Sequence, residues 1–345
     1  MASQKAKNPY QPLSAPQLPT FGNVPIIHHS FSIIFRLSRP RTWVFPSIGF
    51  ILGYTLGGSS SFAELIIGLA VACLVTASTN LVNAYADRRE DAVNQPSRVL
   101  WIERIGPRKT LAAAFLFYGT ASVIAIGLGP LFILVLGVGI FNSLFYSLPP
   151  LRFKAKPFPS LISFSGAVGL AFLGGLSIQG SINILNPVFW LVTYFMLTYG
   201  AVKNLPDYQG DRKAGTRTSA TVFNEIKNAV LFAGVLLFTP YLLLIGLVAT
   251  GQLGTTYLLD LGLALALVLI FLQMWKRATP EGLEKAHTVG FFYAISFLVF
   301  TLVLSSPTLT SLATVVGVYL WTLMVSKVNV DSRIERRDWE RGRRM

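Results

Sequence analysis

Apolar runs of near-spanning length recur along almost the whole chain, at about 41–58, 62–84, 109–127, 130–147, 159–179, 187–203, 226–249, 255–275, 287–305 and 308–325. Runs of this length and apolarity are what a lipid bilayer demands of a crossing helix. The pattern predicts an all-α fold, a polytopic transmembrane helical bundle of ten spans. The last two are separated only by Ser305, Ser306 and Pro307.

The polar segments between the runs are of two kinds. The loops near 59–61, 128–129, 180–186, 250–254 and 305–307 hold no Lys or Arg. Of the 29 Lys and Arg, Arg41 opens the first run and the others lie in the leader, in 88–109, 152–156, 203–227 and 276–285, and in the tail 327–344. With an even number of spans, every one of those basic segments falls on the same side as both termini. Positive charge collects on the cytoplasmic side of membrane proteins, so both termini and these loops are expected to be cytoplasmic. The chain divides into a leader 1–39, a transmembrane domain 40–326 and a basic tail 327–345. Pro, Gln, Ser and Lys fill the leader up to about residue 25, a composition of disorder, and His28 to Leu37 reads as an interfacial amphipathic helix. The tail reads as a solvated juxtamembrane helix near anionic membrane lipid.

Composition agrees. The 345 residues are 52% hydrophobic and 13% charged, with a mean hydropathy of +0.57, against about 25% charged in a soluble domain. The net charge of +14 then describes one membrane face, and no nucleic-acid partner is expected. A single cysteine, Cys73, excludes an intrachain disulfide and reads as a small core residue.

Acidic residues are costly in and near lipid, so those kept there are functional candidates. One set is Asn83, Asp87 and Asp91, after the second run; the other is Asp207 and Asp211, after the sixth. Both fall on the basic face. Spacing of four stacks the side chains of each set on one side of a helix. Bare carboxylates packed so repel, and a Mg²⁺ shared with a phosphate group would remove the repulsion. Pro206 suits the first turn of a short helix carrying Asp207 and Asp211, and Gly215 suits its exit. A third segment, Tyr146 to Lys154, breaks at Pro149 and Pro150 and presents Arg152 and Lys154 as phosphate-directed donors. Taken singly, the first set equally suits a polar helix end satisfied by water, and the third equally suits ordinary basic anchoring. Together, two diacid sets and a basic clamp above an apolar bundle describe a site for a metal-bound diphosphate with a long hydrocarbon tail, a polyprenyl diphosphate.

The chain resembles the UbiA-type intramembrane prenyltransferases. Their Asn-x-x-x-Asp-x-x-x-Asp motif matches Asn83, Asp87 and Asp91; their Asp-x-x-x-Asp matches Asp207 and Asp211, with its Gly-Asp-Arg-x-x-Gly-x-Arg-Thr context matched by Gly210 to Thr218; their Tyr-Ser-x-x-Pro-x-Arg-x-Lys matches Tyr146, Ser147, Pro149 (or Pro150), Arg152 and Lys154. The resemblance covers about residues 35–305. It implies that Asn83, Asp87, Asp91, Asp207 and Asp211 hold Mg²⁺ against the diphosphate and that Arg152 and Lys154 steady it, with Asn83, Arg98, Tyr146, Lys203, Lys213 and Arg217 as further substrate-binding candidates. It also implies a nine-helix core, to which the tenth run is an addition. Two other positions depart from the family: Asn204 stands where many members carry an acid, and Val99 where Pro is usual.

The expected reaction is Mg²⁺-dependent transfer of a polyprenyl group to an acceptor of aromatic or quinone type, in a multi-pass protein of a bacterial plasma membrane. His28, His29 and His287 are the histidines available as bases. Arg39 to Trp43 resembles the opening of the chlorophyll-synthase branch, which prenylates tetrapyrroles. A terpene cyclase would use the same metal site without an acceptor. An ion-coupled transporter ranks below these, because it would need its charges near mid-membrane.

Overall fold

The computed structural model describes residues 26–327; the expectations for the segment up to residue 25 and for the tail beyond 327 lie outside the described residues. Every regular element among them is helical. In chain order these are α1 (Ile26–Leu37), α2 (Val44–Leu56), α3 (Phe62–Ala86), α4 (Arg88–Asn94), α5 (Pro96–Ile105), α6 (Pro107–Ile124), α7 (Pro130–Ser147), α8 (Pro157–Ser177), α9 (Pro187–Asn204), α10 (Tyr208–Lys213), α11 (Ile226–Ala249), α12 (Leu263–Lys276), α13 (Pro280–Ser305) and α14 (Leu309–Lys327).

Local sequence sets the boundaries. Proline opens α5, α6, α7, α8, α9 and α13, where its missing N–H costs no helical hydrogen bond. Ser61, Asn186 and Thr279 cap α3, α9 and α13 with their side-chain oxygens, satisfying amides that have no carbonyl one turn back.

Among the described residues eight helices are long and apolar enough to cross a membrane: α3, α6, α7, α8, α11, α12, α13 and α14, with 3-10 turns lengthening α6 and α12. The protein is an integral, multi-pass membrane protein. The other two expected spans are helical but more enclosed. α2 has only 13 residues, ten of them buried, and is preceded by a 3-10 turn at Pro40–Trp43. α9 has 12 of 18 buried. Central helices touch protein rather than lipid, so they can be shorter or more polar than their neighbours.

α2, α3, α7, α8, α9 and α13 pack in sequence around a central space, with α6 outside α3 and with α11 and α12 outside α9 and α13. α2 and α8 approach most closely at Gly53, where an added Cβ would overlap the Phe172 backbone; small residues are what let membrane helices meet this tightly. α14 is held to the 3-10 turn before α2: Trp321 Nε1 donates to the Pro40 carbonyl at 2.8 Å and its ring stacks on Trp43 at 5.9 Å. α1 packs against α3 and α5. The short helices α4, α5 and α10 lie together at the end of the bundle where α3 and α9 finish.

Candidate active site

The first acidic set does not lie on one unbroken helix. α3 ends at Ala86, Asp87 stands at the junction (φ −94°, ψ 13°), and α4 begins at Arg88. The four-residue register survives the break, because the Asp87 amide donates to the Asn83 carbonyl at 2.9 Å and the Asp91 amide to the Asp87 carbonyl at 2.8 Å. Arg98, 1% exposed, braces the set from α5. It pairs with Asp91 at 2.9 Å and donates to Asn83 Oδ1 at 3.0 Å and to the Asn80 carbonyl at 3.3 Å. Asn83 Nδ2 in turn donates to Asp87 and, at 3.2 Å, to Ser147 Oγ.

In the second set, Pro206 sits in a 3-10 turn, Leu205–Asp207, and only Asp211 lies on the short helix α10. Gly215 follows at φ +73°, a conformation open to glycine at little cost. It lets the Thr216 amide return to the Asp211 carbonyl at 2.8 Å. Asn94 ties the two sets together: Nδ2 donates to the Asp207 carbonyl at 3.1 Å, and Oδ1 accepts from the Gly210 amide at 3.0 Å.

The third segment leaves α7 after Ser147 and brings Lys154 into contact with Asp87 and, at 3.6 Å, with Glu90. Arg152, in the left-handed region at φ 38°, pairs with the same Glu90 at 2.6 Å. The Thr216 hydroxyl donates to Glu90 at 2.8 Å. Glu90 is therefore where all three segments meet, although it belongs to none of the motifs. Its only signal in the sequence is its place three residues after Asp87, on a neighbouring face of the helix.

Electrostatics join the segments into one site. Burial pushes the Asp211 carboxyl up to about 8, the charge on Asp207 adding most to this, with Asp87 and Glu90 adding and Lys154 opposing. Burial pushes Asp91 up to about 6 against the pull of Arg98. Burial also disfavours charge on Glu90, but Lys154, Arg152 and Thr216 outweigh it and hold that carboxyl below its ordinary range. Lys154 is held above the ordinary lysine range because Asp87 and Glu90 outweigh its burial. Asp87, Glu90 and Asp207 thus all bear on Asp211 across the segments. Among the described residues no three carboxylate, His or Cys ligands close on one point. The donor set fits Mg²⁺, which takes one or two carboxylates and completes its shell with phosphate and water.

Below the acids a cavity of about 550 Å³ opens at Asn83, Tyr146 and Lys203 and runs into the bundle. Lys203 Nζ donates to the Tyr146 hydroxyl at 3.2 Å and lies 4.9 Å over the Phe164 ring. Arg41 lines the same cavity, its guanidinium 4.1 Å over Phe291. His287 and Glu284 face it from α13. Asn204 bonds Ser219 at 3.0 Å. Lys213 and Arg217 lie at the exposed surface. Arg41, Glu90, Asn94 and Glu284 are the site residues that motif reading passed over.

A polar, cation-accepting end above an apolar hollow inside a membrane bundle defines a class: intramembrane enzymes acting on an anionic headgroup with a lipid tail. Residues 43–296 match the model of the UbiA prenyltransferase family. The chain belongs to this family and is a prenyltransferase. Relatives include the digeranylgeranylglyceryl phosphate synthases of Methanopyrus kandleri, 28% identical over 74% of this chain and 92% of that protein, and of Sulfolobus acidocaldarius, 26% identical over 79% and 98%. Its fold is that of a UbiA homologue from Archaeoglobus fulgidus bound to GPP and Mg²⁺, with a TM-score of 0.60 at 21% identity over 78% of this chain and 99% of that one.

Proposed function

We propose that the protein transfers a polyprenyl group from a polyprenyl diphosphate to an acceptor bearing an acidic group, with both acidic sets serving one diphosphate. One observation carries this reading: the two acidic sets and Lys154 share a single electrostatic environment directly above a tail-sized apolar cavity. Asp87, Asp91, Asp207, Asp211 and Asn83 would hold Mg²⁺, which when bound neutralises diphosphate charge and makes it a better leaving group.

The chain's own residues supply the rest. Lys154 and Arg152, held ready by Asp87 and Glu90, stabilise charge gathering on the departing diphosphate. Arg98 fixes Asp91 and Asn83 and acts through them. The allylic C–O bond breaks with its electron pair leaving on the diphosphate, and the apolar walls keep water from the carbocation. The Tyr146, Tyr199 and Phe291 rings at the cavity mouth offer π faces to positive charge. The acceptor attacks from the Arg41 side, and its proton passes to His287. The basic face carrying this site is the cytoplasmic one.

For the acceptor, an aromatic acid agrees with Arg41 lying over Phe291 beside Tyr199, a cation and ring faces in one wall. A prenylated glyceryl phosphate is the second reading, favoured by the names of the relatives. The test is incubation of the protein in liposomes with labelled polyprenyl diphosphate and each acceptor class. Mg²⁺-dependent labelling of one class identifies the acceptor. Hydrocarbon release without any acceptor would instead mark a cyclase, and no diphosphate release at all would end the reading.

A further inference from the structure

The tail cavity has a measurable depth and a floor. On α3 its wall runs from Asn83 to Gly68, and on α7 from Tyr146 to Phe132. These are 15 and 14 residue steps, or about 22 and 21 Å at the helical rise of ~1.5 Å per residue. The floor is an edge-to-face pair, Phe50 and Phe132, with ring centres 6.3 Å apart. Both rings are wedged by glycine. A Cβ at Gly68 would overlap the Phe50 ring, and one at Gly174 would stand 3.3 Å from the Phe132 ring. Both rings are packed in at the deep end of the cavity, Phe50 1% and Phe132 5% exposed.

An isoprenyl unit adds four carbons to a chain, roughly 5 Å when extended with C–C bonds of ~1.5 Å. We infer that the Phe50–Phe132 pair is a length stop that sets the donor at about four isoprenyl units, a C20 diphosphate. This rests on the prenyl-transfer reading and adds to it the length of the tail.

Gly139 gives access to the stop from halfway. It lines the cavity, and a Cβ built on it meets no atom within 4 Å. It lies seven residues from Tyr146, so a large side chain there would block the channel about 10 Å down, after two units. Val75 lines the same depth from α3.

The experiment compares donors of two, three, four and five units with wild type, Gly139→Phe, Val75→Phe and Phe132→Ala. Each is scored by kcat/KM for diphosphate release and by affinity for the matching non-hydrolysable thiolodiphosphates. Wild type should favour four units over five. Gly139→Phe and Val75→Phe should lower the four-unit to two-unit ratio roughly tenfold or more, the scale of overfilling a packed apolar space. Phe132→Ala should raise the five-unit to four-unit ratio. Unchanged ratios in both blocking variants, or an unchanged five-unit to four-unit ratio in Phe132→Ala, would overturn the length stop even with transfer intact. Length-dependent analogue binding without diphosphate release would sink the prenyl-transfer reading and leave the stop standing. Failure to bind any analogue would sink both. If Gly139→Phe does not fold, Val75→Phe decides.

Discussion

Arg98→Met should separate the architecture of the acidic site from its chemistry. Arg98 is buried, and Asp91 is its ion-pair partner at 2.9 Å. Removing one member of a buried pair costs about 3–5 kcal/mol, because it strands the other charge. The cost should depend on pH. Asp91 already titrates at about 6 in the folded chain, above its ordinary 3.8, since burial outweighs Arg98. A folded-state value raised above the unfolded one means that protonation favours the fold: that stability is complete below the unfolded value and fades as pH rises through the folded one. Loss of Arg98 raises Asp91 further and widens this window upward. At pH 8 the variant should therefore lose most of the 3–5 kcal/mol, a fall in Tm on the order of 10 °C. At pH 5, with Asp91 neutral in the variant, the gap should narrow. Asp91→Asn placed on top should restore much of the Tm but no turnover. Thermal unfolding in detergent at both pH values, alongside diphosphate release, reads all of this. A Tm within about 2 °C of wild type at pH 8, or a deficit that grows toward pH 5, would mean that Arg98 does not brace a charged Asp91.

Two further outcomes follow from buried carboxyls. Mg²⁺ binding should expel protons, since Asp211 is pushed up to about 8 and Asp91 to about 6 in the metal-free site; affinity should rise from pH 6 to pH 9, and calorimetry in buffers of differing ionisation enthalpy should show release at pH 7 that vanishes at pH 9.5. Asp260, fully buried on the far half of the bundle, accepts a 3.2 Å bond from Thr301 through Oδ2 while Oδ1 has no hydrogen-bond partner; Asp260→Asn should thus be neutral or stabilising by up to about 1 kcal/mol and Asp260→Leu destabilising, the opposite order of Tm values counting against a purely structural carboxyl.

How far the sequence carried the fold follows from what bilayers impose. The spans were legible because lipid forces long apolar stretches on any crossing helix, and the helix starts because proline and the caps Ser61, Asn186 and Thr279 mark them. The shortness of α2 was not, since hydropathy registers an apolar run without telling lipid contact from protein contact. The acidic motifs were legible through their spacing, but the break at Asp87 was not, because Asn83-to-Asp91 hydrogen bonding keeps the helical register across it. Glu90 escaped notice for a different reason. Flanked by Arg88, Arg89 and Asp91, it looks like part of a solvated charge run. Only tertiary contact with Lys154, Arg152 and Thr216, remote in sequence, makes it the joint of the site. Arg41 likewise reads as a basic residue at the edge of the first apolar run until Phe291 arrives from α13.

Under the proposed function the acidic sets on α3–α4 and α9–α10 grip one diphosphate. The most direct test is a double-mutant cycle on Mg²⁺-dependent binding of a prenyl thiolodiphosphate, using Asp87→Asn, Asp207→Asn and both together. A shared headgroup predicts that either single change removes most of the binding and that the double variant is scarcely worse, a large coupling between residues 120 positions apart in the chain. Losses that simply add, or a set whose removal leaves binding intact, would contradict it.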